Sequence, residues 1–131
     1  MYEFHGWFGI AETPEEADAG SLSEGVEDLR SRIAVLQWAT AEVQLKSYNG
    51  QHFLIATGLV NRRRDEAAEL NDLLDHVAAR FRGAWGLLYE RSDDFIGQPG
   101  YGAFRVRVMA RGALIDRLDP FLSPCIPTIE D

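Results

Sequence analysis

Cysteine is almost absent from the 131 residues. The single Cys125 cannot form an internal disulfide, and no CxxC or Cys/His pairing has metal-ligand spacing. A reducing, cytoplasmic setting is the simplest expectation. Long apolar runs are also missing, none approaching the roughly 20 residues of a membrane span. The opening MYEFHGWFGIAE has neither a basic region nor a sustained apolar stretch, so no signal peptide and no membrane contact are expected. Basic residues are scarce, at 13 Lys plus Arg against 21 Asp plus Glu, for a formal net charge of −8. A protein that grips a phosphate backbone needs a positive field, so nucleic-acid binding is disfavoured. A phosphate-cradling loop is lacking too, because Gly97-Gln-Pro-Gly100-Tyr-Gly102 departs from GxGxxG and sits between strands with no helix N-terminus behind it. No cofactor is expected.

What is present suits one domain over residues 1–131, since a chain of this length, 46% hydrophobic, can bury a single core. The acidic surplus is localised. Residues 1–28 hold eight of the 21 acids and none of the 13 bases, so the other residues are balanced at 13 of each. Glu12, Glu15, Glu16, Asp18, Glu24, Glu27 and Asp28 form a candidate docking surface for a basic partner, with a solvated acidic loop as the competing reading.

Hydrophobic periodicity divides the chain into alternating elements. Tyr2, Phe4, Phe8 and Ile10 alternate with Glu3, His5 and Trp7, the period of a strand with Trp7 on the face opposite Phe4 and Phe8. Ser21 and Glu24 have capping-box spacing, and Leu22, Val26, Leu29, Ile33 and Leu36 predict a helix over about 22–38, in which Gly25 costs roughly 1 kcal/mol. Trp38 falls off the centre of that stripe and is expected at the edge of the core. Two strands, one ending at Asn49-Gly50 and one over His52–Leu59, should form a type I′ hairpin, the second inside the sheet because both its faces are apolar.

A second helix is predicted over Asp65–Arg82 with Gly83 as its C-cap. Its outer face carries Glu66, Glu69, Asp72 and Asp75, a second candidate surface in which acids first and arginines last is the order the helix dipole favours. Trp85–Tyr89 and Phe104–Val108 predict two more strands around a Gly/Pro/Asp loop. Arg105, Arg107 and Arg111 are expected on the polar face of the last of them, and Arg62-Arg63-Arg64 should pair locally with Asp65, Glu66 and Glu69. After Gly112 periodicity is lost, and three prolines within Asp119–Pro127 exclude helix or central strand. The order βαββαββ plus an irregular tail implies an α+β fold, a mostly antiparallel sheet of about five strands with two helices on one face.

Catalytic signals are thin. His5, His52 and His76 fall on separate elements, Cys125 lies among prolines, and Asp93-Asp94 reads as a turn rather than a cation site.

The ends of the chain are more specific. Tyr2-Glu-Phe-His-Gly-Trp-Phe8, Gly83-Ala-Trp-Gly-Leu-Leu-Tyr89, Phe104-Arg-Val-Arg-Val-Met-Ala-Arg-Gly112 and the run Asp119-Pro-Phe-Leu-Ser-Pro-Cys-Ile-Pro-Thr-Ile-Glu-Asp131 resemble the immunity protein 7 family of bacterial polymorphic toxin systems. The resemblance spans Met1 to Asp131, departs from the family at Asn61-Arg62-Arg63, and carries over no individual binding residue. It implies a small non-enzymatic α+β protein that binds and neutralises a cognate toxin domain. The acidic surplus adds the expectation of a basic, nuclease-type toxin. The competing readings are a small-molecule-binding or homodimerising module using the open sheet face, lined by His5, Trp7 and the arginines of the last strand, and an enzyme using His5 or Cys125.

Overall fold

The computed structural model describes residues 1–12, 19–63, 65–95 and 102–121. The elements run β1 (Tyr2–Ile10), α1 (Ala19–Ala34), β2 (Ala41–Tyr48), β3 (Gln51–Val60), α2 (Asp65–Arg80), β4 (Trp85–Ser92), β5 (Arg105–Ala110) and β6 (Ala113–Leu118). All strand pairs are antiparallel, in the order β2-β3-β1-β4-β5-β6. The fold is α+β, and β3 lies inside the sheet as its two apolar faces require.

The alternation in β1 decides which face is which. Tyr2, Phe4, Phe8 and Ile10 are buried in one core with Leu54 and Ala56 of β3, Leu88 of β4, Val26 and Leu29 of α1, and Leu70, Leu74 and Val77 of α2. Both helices therefore cover the same face. Glu3, His5 and Trp7 point to the other, which neither α1 nor α2 covers.

Several boundaries differ from the sequence expectation, each for a local reason. Helix α1 starts at Ala19, so Ser21 lies inside its first turn instead of capping it. The Ser21 carbonyl and hydroxyl instead accept hydrogen bonds from Arg80 Nη2, at 2.5 and 3.0 Å. The helix ends at Ala34, and Trp38 sits half-buried beyond it with its ring edge-on to Phe4 at 5.9 Å. Gly25 also has a packing reason, because a Cβ there would stand 2.8 Å from Phe81 Cε1. At the end of α2, Gly83 is no left-handed cap. It leaves room for the Glu12 carbonyl, which a Cβ would meet at 2.6 Å.

The sixth strand is the main departure. Arg111 and Gly112 both take positive φ, 55° and 78°, and turn β5 back into β6 as Asn49 and Gly50 (50° and 76°) turn β2 into β3. Arginine is an unusual residue for that position, so the turn carries no Asn-Gly signal. Beyond β6, the Asp119 carboxylate accepts from the Phe121 backbone N–H at 3.1 Å. The tail from 122 onward, including Cys125, lies outside the described residues, as do 96–101 of the loop before β5.

Register also corrects the arginines of β5. Arg105 faces Glu90 and Arg107 faces Leu88, on the helix-covered side of the sheet, while Val106 and Val108 face outward. Periodicity alone assigned the polar residues to the open side. A buried carboxylate, Glu90, draws them inward instead.

Candidate functional site

The described acids of the N-terminal segment differ in their surroundings. Glu12 is almost buried, with a side chain 8% exposed that pairs with Arg80 at 3.2 Å. Glu15, Glu16 and Asp18 lie outside the described residues. On α1, Glu27 is 3.7 Å from Arg30, and Asp28 is 2.9 Å from Arg32 and 3.3 Å from His76. Helix spacing brings these charges together and lowers their outward field. Glu24 is exposed.

Helix α2 presents a different picture. Asp72 and Asp75 are exposed, Glu66 and Glu69 half-exposed, and none of the four is in an ion pair among the described residues. A spacing of three residues falls 60° short of a full turn, so the four carboxylates wind across the outer side of the helix rather than along one line. The first base of the helix, Arg80, is directed to Glu12 and Ser21 and does not neutralise them. Nor does Arg63, whose guanidinium lies over the Phe95 ring at 5.1 Å. That position replaces the local pairing expected from sequence, and Arg64 lies outside the described residues. Asp65, exposed at the start of the helix, adds to the same acidic side.

Between the helices, His76 is the group whose charge state is poised to change. Burial, together with the nearby Arg32 and Arg80 guanidiniums, outweighs Asp28 and holds its imidazole below the ordinary value. The unfolded chain then binds the proton more readily than the folded one. The stability contribution is complete above about pH 6.5 and is lost as pH falls through the lower folded value. Replacing His76 by Gln should flatten the decline in urea midpoint between pH 7 and 5. An unchanged slope would assign that decline to other groups.

The open sheet face carries two further arrangements. One is an aromatic chain that sequence reading located only at Trp7: Trp7 and Trp85 meet edge-on at 5.5 Å, Trp85 and Phe53 at 6.4 Å, and Tyr48 and Phe53 lie 6.1 Å apart. The alternation around Trp85 and Phe53 held the signal. The other is polar: His5 Nδ1 lies 2.7 Å from the Thr57 hydroxyl, His5 Nε2 is 2.7 Å from Glu3, and Arg91 donates to the same carboxylate at 2.6 Å. Burial raises the affinity of Glu3 for a proton, but the bonds from His5 and Arg91 outweigh it and hold the carboxyl below the usual range.

A hydroxyl, an imidazole and a carboxylate in that order have the connectivity of a catalytic triad. Here they stand on a flat sheet, with Thr57 and His5 on strands whose neighbours on both sides engage the backbone ladder. Those strands therefore supply no spare pair of N–H groups for an oxyanion. Arg105 and Arg107, expected beside His5, are on the opposite face, and the arginine that reaches Glu3 is Arg91 of β4.

Among the described residues no group of three His, Cys, Asp or Glu could hold a metal ion, and no helix is long and apolar enough to cross a membrane. Nothing among curated proteins or solved structures matches the chain. A family model described as Immunity protein 7 matches residues 1–131, the whole chain. The chain therefore belongs to the immunity protein 7 family, whose members are immunity proteins of toxin systems.

Proposed function

We propose that this protein neutralises a cognate toxin domain with a basic, nuclease-type substrate cleft, and that it docks through the acidic outer side of α2. The observation that carries the reading is the contrast between the two helices. Glu27 and Asp28 of α1 meet Arg30 and Arg32, whereas Glu66, Glu69, Asp72 and Asp75 are in no ion pair among the described residues. Glu24 and the acidic segment from Glu12 to Asp28 lend the same sign to the surrounding field. The protein would act in the cytoplasm of the cell that makes it, without cofactor, catalysis or nucleic acid of its own.

Electrostatic steering by such a surface accelerates association more than it deepens affinity, and it weakens with salt. Reversing Glu69, Asp72 and Asp75 to Lys should slow association with the toxin domain encoded beside this gene by about tenfold or more at low salt. It should also flatten the dependence of that rate on ionic strength. Unchanged association kinetics would remove α2 from the interface, and the same reversal at Glu15, Glu16 and Asp18 would then test the N-terminal segment.

A further inference from the structure

We infer that the open face of the sheet is a self-association surface on which a second copy of this chain packs, sheet against sheet, about a twofold axis. The proposal does not depend on the toxin reading, because it concerns the side of the molecule opposite the helices.

The first observation is what the face exposes. Tyr48, Trp7, Trp85 and Ile115 are 57%, 47%, 47% and 44% exposed, and Phe53 and Leu87 lie half-buried among them. Register places Ile55, Trp7, Leu87, Val108 and Ile115 in one row across five strands. A continuous apolar row flanked by an aromatic chain goes beyond the scattered hydrophobics of ordinary surfaces. Tryptophan and tyrosine are also the residues that interface cores favour.

The second observation is charge. The chain carries −8, so two copies repel wherever their acids face each other. The open face is the exception: among the described residues its strands carry Glu3 and Glu42 against Lys46, Arg91 and Arg117. It is balanced to slightly positive. The acidic sides of α1 and α2 lie behind the sheet, far from a copy seated there. A strongly basic partner, by contrast, gains nothing electrostatically from this face.

The third is size. Strands about 4.8 Å apart, rising about 3.4 Å per residue, give six strands of these lengths a face of at most roughly 750 Å², since Val106 on it is already 7% exposed; that approaches the ~800 Å² per partner of a standard stable interface. Two twisted sheets can stack about 10 Å apart with strands crossing near 30°, and the same patch then serves both copies. Both α2 surfaces stay outward, so such a dimer could still present two toxin sites.

Sedimentation velocity of the full chain over about 1–100 μM is the test, with tryptophan emission recorded on the same samples. The expected result is a species of twice the 14.7 kDa chain mass. On dilution it should dissociate with a red shift in emission, as Trp7 and Trp85 return to water while Trp38 does not change. Trp7→Lys and Ile115→Lys, from different strands of the row, should each raise the dissociation constant at least tenfold while leaving far-UV circular dichroism unchanged. A monomer at every concentration overturns the proposal. So does a dimer whose dissociation leaves the emission unmoved, or one that persists in both variants. If the wild type is monomeric and Trp7→Lys abolishes toxin binding with the α2 acids intact, the face belongs to the toxin instead. Loss of toxin binding confined to the α2 reversal leaves the two surfaces separate.

Discussion

Replacing Glu90 by Ala should cost about 3–5 kcal/mol of folding stability, the loss typical when one partner of a buried ion pair is removed. Glu90 is 1% exposed and lies on the helix-covered face of β4. It accepts the Tyr2 hydroxyl at 2.7 Å and the Arg105 Nε and Nη2 at 2.8 and 2.5 Å, with Arg107 at 3.9 Å. Without it, the only carboxylate left to the two guanidiniums among the described residues is Asp116, 3.9 Å from Arg105 and 3.3 Å from Arg107 and mostly in water, beside the Asn71 side-chain oxygen that accepts from Arg107 and the Phe95 ring under Arg105. Tyr2 loses its acceptor as well. Its phenol is pushed up first by burial and then by the charge of Glu90, so its proton should come off more easily in the variant. Glu90→Leu combined with Arg105→Met should recover part of the loss, because apolar packing can replace a desolvated pair. Urea midpoints at constant slope would read this out, and a loss below about 1 kcal/mol for Glu90→Ala would show that the network does not hold the sheet together.

Phe4→Ala should be comparably damaging, by about 3–5 kcal/mol, equivalent to roughly 10–20 °C in melting temperature for a domain of this size. Phe4 is fully buried on β1, the strand on which both helices close, with Tyr2 at 5.2 Å and the edge of Trp38 at 5.9 Å. Removing the ring opens a cavity shared by the sheet and the segment after α1. Trp7→Ala, three residues along on the other face, should cost less than about 1 kcal/mol when measured on dilute protein. Similar losses at the two positions would contradict the assignment of faces.

That assignment was legible in the first ten residues. Tyr2, Phe4 and Phe8 opposite Glu3, His5 and Trp7 separate the covered face from the open one, and Asn49-Gly50 specifies the β2–β3 hairpin through its own backbone geometry. The strand β6 was not legible, because Arg111 is a poor signal for a tight turn and Ala113–Leu118 lacks clean alternation. Long-range partners hid the rest. Nothing near Glu90 in sequence shows that Arg105 and Arg107 turn inward to meet it. Nothing near Glu12 shows that Arg80, 68 residues away, draws it out of the acidic surface. A charge count ranks the N-terminal acids first because it does not see pairing. Glu27 and Asp28 are paired with Arg30 and Arg32, whereas the α2 carboxylates are in no ion pair among the described residues. The immunity protein family was legible from motifs at the two ends, since their Trp, Phe, Gly and Pro residues determine the fold. Which acids are left unpaired was not, because their partners are distant in sequence or set by the fold.

Co-expression with a candidate toxin domain from a neighbouring gene tests the central claim most directly, with growth as the measured quantity. Cells producing the toxin domain alone should stop growing, and cells that also produce this protein should grow normally. The Glu69, Asp72 and Asp75 to Lys variant, although folded, should protect them measurably less. Arrested growth in the presence of abundant, folded wild-type protein would contradict the assignment of this chain as the immunity partner of that toxin.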